Sequence, residues 1–245
     1  MPTGLILNSL AIVIGGIIGT FAGQKLSADF KEKMNMIFGS CAMAMGISSI
    51  VLMKNMPAVI FSVVFGTALG LLLHFEGLIS RMGVLLQSVI GKILPAAKNT
   101  ASALSEKEYS EQLLTVIVLF CASGTGIYGS IVSGMNGDHS ILISKAILDL
   151  PTSLIFAAAL GITVSLIAIP QFLICFLLFL CGGLIFPLTT PAMIDDFKAV
   201  GGVLLLATGF RIIRVKMFPT ADMIPAMILA MPVSWLWTNA ILPLL

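Results

Sequence analysis

Between Ile6 and Phe21 the chain carries no charged residue, and stretches of the same kind recur along most of its length. A helix that crosses the hydrocarbon core of a bilayer needs about 20 mostly apolar residues. A chain built from such stretches has too little polar surface to meet water. Charged residues make up only 10% of it, against about a quarter in soluble domains. Helices satisfy every backbone polar group internally, so the expected fold is an all-α polytopic membrane protein. The N-terminal "MPTGLILNSLAIVIGG" has neither the basic region nor the small-residue cleavage site of a signal peptide, and the first span is expected to be retained.

Apolar periodicity predicts eight spans, at about 4–23, 35–53, 56–74, 112–133, 141–164, 170–188, 199–215 and 221–242. Eight spans can be tested against the bias of Lys and Arg toward cytoplasmic loops. Lys25, Lys31, Lys33, Arg81, Lys92, Lys98, Lys107, Arg211, Arg214 and Lys216 fall on the side opposite the N-terminus. Lys54 and Lys198 fall on the N-terminal side, and Lys145 lies within a span. Both termini are therefore expected outside the cytoplasm. A seven-span arrangement puts the later basic groups on the wrong side.

The whole of 1–245 reads as one transmembrane domain with internal parts. Residues 4–74 form a first three-helix unit, 75–111 an interfacial helix and polar linker, 112–164 a central helix pair, and 170–242 a second three-helix unit. Within 76–94, Leu78, Met82, Leu85, Leu86, Val89 and Ile93 repeat at helical spacing, with Glu76, Arg81, Gln87 and Lys92 on the other face. That pattern suits a helix lying in the cytoplasmic interface, or one packed on other protein. Pro95 to Ala103 is a polar linker, and Ser105 to Glu108 has capping-box spacing.

Spans one to three and six to eight resemble each other at an offset of 163 residues, which pairs Gly19 with Gly182, Gly39 with Gly202 and Gly46 with Gly209. Five spans precede the second unit, so the repeat would be inverted. Inverted repeats recur in transporters, with substrate sites near the midplane at discontinuous helices. The competing reading is coincidence among glycine-rich helices.

Small residues every four positions, such as Ala11, Gly15, Gly19 and Gly23, read as packing faces. The fourth span differs. Its "CASGTGIYGSIVSGMNGD" combines five glycines with Ser123, Thr125, Tyr128, Ser130 and Ser133, a composition that invites a break in the helix. An unbroken helix with a small-residue face is the alternative.

The fifth span holds Lys145 and Asp149, four residues apart and therefore on one helix face. Asp149 lies about 12 to 14 Å into the span at 1.5 Å per residue, near the midplane, where an ionisable group usually faces a cavity or a partner. Pro151 cannot donate a backbone hydrogen bond and frees the carbonyl of Ile147. Asp149, Lys145, Ser123, Thr125 and Ser130, with Asn8 and Ser9 of the first span, are the candidate solute- or ion-binding residues. They suit a cation held by hard oxygens or a proton relay. A purely structural Lys145–Asp149 pair is the alternative.

Cys41, Cys121, Cys175 and Cys181 lie in apolar stretches without a CxxC pair, and His74 and His139 are far apart. Neither a disulfide nor a metal site is expected. No cofactor is expected beyond a coupling cation, H+ or Na+. No basic, aromatic-interleaved patch points to nucleic acid.

"LNSLAIVIGGIIG" (Leu7 to Gly19) and "SGTGIYGSIVSGMNGDHSILISKAILDLPTS" (Ser123 to Ser153) resemble a bacterial membrane-protein family catalogued as domain of unknown function 554. The resemblance covers nearly the whole chain and implies an inner-membrane location and a role in transport, without a substrate. Members often have glycine after the aspartate, where this chain has Leu150-Pro151, so the local bend here would differ. The leading expectation is a secondary transporter of a small solute or ion, embedded in lipid and assembled as a homodimer. A passive channel and a non-transport scaffold are the other readings. An enzyme is not expected, since no Ser/His/Asp set, HExxH or Walker loop is present and Asp149 lacks a second carboxylate.

Overall fold

The computed structural model describes residues 1–93, 106–121, 123–213 and 215–244. The expected linker at Pro95 to Ala103 and the capping residue Ser105 lie outside them. Among the described residues the fold is all-helical, with no strand. The helices are α1 (Thr3–Ala22), α2 (Ala28–Ile50), α3 (Met56–Leu72), α4 (Phe75–Ile93), α5 (Glu106–Cys121) and α6 (Gly124–Asn136). They continue as α7 (Ser140–Leu160), the single turn α8 (Thr163–Leu166), α9 (Ala168–Ile185), α10 (Pro191–Ile212) and α11 (Ile224–Leu236).

Among the described residues, five helical segments are long and apolar enough to cross a membrane: Thr3–Ala22, Gln112–Asn136, Ser140–Leu160, Thr163–Leu188 and Ile224–Leu244. The number is up to six if α3 and the start of α4, bent by 61° at their junction, form one span. The described residues of the eight expected spans are mostly helical, but α2 and α10 are not in this set. Both open on charged turns, Asp29 to Lys33 and Asp195 to Lys198, which shorten the uncharged run. The α3–α4 junction turns at His74, whose φ is +49°.

The helices group into two compact units, Met1–Met34 with Leu78–Gly183, and Asn35–Gly77 with Leu184–Leu245. In the first, α1 lies along α7 at backbone contact. A Cβ on Gly15 would overlap the Leu150 carbonyl, and one on Gly19 the Leu154 carbonyl. α6 meets α9 in the same way, through Gly134 against Phe179 and Gly182 against Ile131. Such contact replaces the hydrophobic drive that lipid removes. Ile12, Val116, Ile117, Phe120, Leu160, Val164 and Ile167 fill the core. The outward face of α1 is Leu7, Leu10, Ile14, Ile17, Ile18 and Phe21, all exposed. Asn8 and the glycines of α1 face inward, which is the reverse of a helix on a water-soluble protein.

In the second unit α2 and α10 approach at two glycine pairs, Gly39 with Gly209 and Gly46 with Gly202. α3 meets α11 through Gly66 against Ala226 and Gly70 against the Asp222 carbonyl. The buried Asp196 ties the α2–α3 turn to α10. Its Oδ1 accepts from the backbone N–H groups of Lys54 (2.8 Å) and Asn55 (2.9 Å), and its Oδ2 accepts from Asn55 Nδ2 (2.8 Å) and Ser234 Oγ (2.6 Å). Four donors leave this carboxylate satisfied without a buried cation. Asp222 accepts from the Glu76 N–H at 2.8 Å and so caps the start of α4, while Arg211 reaches Glu76 at 3.2 Å.

Candidate functional site

The first unit contains a buried chain of polar side chains that crosses three helices. α7 begins just past a left-handed Gly137 (φ +74°), which ends α6 and reverses the chain. Lys145 and Asp149 then lie one turn apart on α7. Lys145 Nζ donates to Asp149 Oδ2 at 2.5 Å, and Asn8 Nδ2 of α1 donates to the same oxygen at 2.7 Å. Gln171 Nε2 of α9 donates to Asn8 Oδ1 at 2.7 Å, and Ser9 Oγ donates to Gln171 Oε1 at 2.8 Å. Lys145 and Asp149 keep 4% and 7% of their surface exposed, and Asn8 and Gln171 keep none. Removing two charges from water this completely is costly, and only close pairing with further hydrogen bonds offsets it.

The polarity of the chain follows from chemistry. An ionised carboxylate accepts only, so Asn8 must present its amide nitrogen to Asp149. Its oxygen is then left for Gln171, whose own oxygen is left for Ser9. Gln171 Nε2 also lies 3.4 Å from Cys175 Sγ.

Lys145 sits where the fourth expected span is interrupted. α5 ends at Cys121, α6 begins at Gly124, and the Ser123 side chain caps α6 by accepting from the Gly126 N–H at 3.1 Å. The ammonium lies 5.7 Å from the centroid of the Phe120 ring, in the last turn of α5. On the other side of the break, a Cβ on Gly126 would meet Lys145 Cε at 3.4 Å and Cys175 Sγ at 3.7 Å. A larger residue at 126 would occupy the ground between the cation and the thiol.

Of the residues expected from sequence, Lys145, Asp149, Asn8 and Ser9 are brought together. Ser123 is a helix cap. Thr125 is buried in the first turn of α6. Ser130 is buried on the same helix, facing the Cys175 thiol, and its oxygen has no oxygen or nitrogen partner among the described residues. The expected bend at Pro151 does not end α7, which runs through it. Thr152 Oγ1 donates to the Leu148 carbonyl at 2.7 Å and Ser153 Oγ to that of Leu150 at 2.9 Å, so hydroxyls cover the backbone around the proline.

Gln171, the centre of the chain, was not among the expected residues, and neither were Phe120 and Cys175. A signal for Gln171 existed. The offset of 163 that pairs the glycines also pairs Asn8 with Gln171.

Fold and polar chain together define the class, an all-α protein of membrane-crossing helices with an ion pair buried among them. Within that class the chain belongs to the family described as protein of unknown function (DUF554), which matches residues 3–235. It is 41% identical over 238 residues to the uncharacterized protein YqgA of Escherichia coli K12, covering 97% of this chain and 98% of that one. It is 25% identical over 226 residues to the uncharacterized membrane protein YdfK of Bacillus subtilis 168, covering 92% of this chain and 93% of that one. No solved structure matches.

Proposed function

We propose that the protein is a secondary transporter of the bacterial inner membrane that moves a small solute or ion, with Lys145 and Asp149 as its charged centre. The observation that carries this reading is the burial of an ion pair whose hydrogen bonds reach across α7, α1 and α9. Ionisable groups inside membrane helices are costly and typically mark a solute or ion pathway. The interruption between α5 and α6 beside Lys145 fits the discontinuous helices that line transporter sites. YdfK, named a membrane protein, is in keeping with the location.

The eight-span, inverted-repeat arrangement belongs to the same proposal. Asn8 and Gln171 are equivalent at the 163-residue offset and hydrogen-bond to each other, as expected of residues that flank a two-fold pseudo-axis. Gly39 and Gly202 are equivalent at this offset, as are Gly46 and Gly209, and the offset exchanges the contact Gly39–Gly209 with Gly46–Gly202. α2 and α10 then cross the bilayer despite their charged first turns. The termini lie outside, and of the lysines and arginines in the loops only Lys54 and Lys198 fall on that side.

Purified protein in liposomes, examined by solid-supported-membrane electrophysiology, tests the reading. Jumps of Na+, K+, H+ and small zwitterionic or anionic solutes should produce a transient current in the wild type that Asp149→Asn loses. Wild-type current retained in that variant would remove Asp149 from the mechanism. A steady conductance without counterflow would make the protein a channel.

A further inference from the structure

Resting on the proposed transport role, we infer that the ion taken up at this site is a proton, bound by Asp149, and that the Asn8–Gln171–Ser9 chain reverses its hydrogen bonds when the proton arrives. The donor set decides between the two expected ions. Hard cations collect about six oxygen ligands. Here Asp149 Oδ2 holds Lys145 and Asn8, Asn8 Oδ1 holds Gln171, and Gln171 Oε1 holds Ser9. Each of these oxygens already accepts a donor, and at Asp149 Oδ2 the ammonium of Lys145 takes the place a metal cation would need. Sodium would have to displace several donors at once. A proton needs one oxygen lone pair.

The step balances simply. Hydronium gives up a proton, its O–H bond breaking to leave water, an O–H bond forms at Asp149 Oδ2, and the Lys145–Asp149 pair goes from neutral to a single positive charge. The new O–H donates where the carboxylate had accepted. Asn8 turns to present Oδ1 to it, Gln171 turns to present Oε1 to Asn8 Nδ2, and Ser9 rotates to accept from Gln171. An amide carries a donor and an acceptor on one planar group, so each reversal compels the next. The protonation state of α7 is thereby read on α9, at residues equivalent under the repeat. Among the described residues, the titratable groups facing this point are Lys145 on α7, Cys175 on α9 and Cys121 at the end of α5, while α1 offers only an amide and a hydroxyl.

Infrared difference spectroscopy of the full-length protein across a pH titration reads the carboxylic-acid C=O band, and subtracting Asp149→Asn isolates Asp149. The expected result is a band that grows as pH falls, is indifferent to Na+ at fixed pH, and moves to higher frequency in Gln171→Leu, although Gln171 does not touch Asp149. A band that Na+ suppresses at constant pH, one that Gln171→Leu leaves unmoved, or no band at all would overturn the inference. If Gln171→Leu does not fold, the pair Gln171→Asn and Asn8→Gln replaces it. The single Gln171→Asn should shift the band and the double variant should return it, whereas equal spectra in both would count against the reversing chain. The readout needs no transport. A responsive band without any solute current would retire the transporter reading alone, and a Na+-driven current with a silent Asp149 would retire the proton alone.

Discussion

Asp149 accepts both of its hydrogen bonds on one oxygen, and that governs how its substitutions should differ. Asparagine keeps an oxygen at the same place, able to accept from Lys145 and Asn8 together, and loses only the charge. Alanine removes the acceptor as well, so the buried ammonium keeps neither a counter-ion nor its hydrogen bond. Breaking a buried pair from one side costs about 3–5 kcal/mol. Asp149→Ala should therefore lower the thermal midpoint in detergent far more than Asp149→Asn. Replacing both partners with apolar residues, Lys145→Met with Asp149→Leu, should recover much of the loss. Equal midpoints for the alanine and asparagine variants would mean that the pair does little to hold α7 in place. Gly126 gives a second prediction at this scale. Gly126→Leu would project a side chain between Lys145 and Cys175 and should abolish the solute current while the α1–α7 contact, which lies elsewhere, keeps the fold. Undiminished current would show that nothing passes there.

Among the elements, the contact of α1 with α7 sets the frame on which the polar chain hangs. Gly15 and Gly19 bring the two backbones so close that a single Cβ meets a carbonyl oxygen on the facing helix. A carbonyl cannot rotate aside as a side chain can. Gly15→Ala and Gly19→Ala should each cost about 1–3 kcal/mol through overpacking. Gly137→Ala makes an informative contrast, since a Cβ there meets nothing within 4 Å and its cost comes only from φ of +74°. Thermal unfolding of the three variants separates crowding from backbone strain. If Gly19→Ala melts like the wild type, the helices have slack that the close approach denies.

The helices were legible in the sequence because lipid-facing runs must be apolar throughout, and composition marks them without any partner. The interruption before Gly124 was legible for a related reason, since glycines and hydroxyls cluster where a helix needs a cap rather than a side chain to bury. Lys145 and Asp149 stood out as charges in apolar surroundings. Gln171 did not, because an uncharged amide near the start of a span resembles an interfacial residue until its partner is known. Asp196 was hidden for another reason. Two of its four donors are the backbone N–H groups of Lys54 and Asn55, and no side-chain pattern records a carboxylate that caps a distant turn.

For the molecule as a whole, α2 and α10 decide how often the chain crosses the membrane. If they cross, Lys25 and Lys54 lie on opposite sides although only one helix separates them, and so do Thr189 and Lys216. If they lie flat or re-enter, the members of each pair share a side. The charged first turns of both helices argue against a crossing, since each ion carried into hydrocarbon is costly. Packing argues for it. Gly39, Gly46, Gly202 and Gly209 bring the two backbones together as membrane helices do, and the charges lie toward the helix ends, at the start of α2 and at both ends of α10, where long side chains such as Arg211 can reach the interface. Four single-cysteine variants at positions 25, 54, 189 and 216, made in a background with the four native cysteines replaced, should label with a membrane-impermeant maleimide in alternation. In intact cells, 54 and 189 should react, whereas 25 and 216 should react only after lysis. Labelling of 25 together with 54, or of 189 together with 216, would remove the crossing of α2 or of α10, and with it the proposed inverted repeat that pairs Asn8 with Gln171.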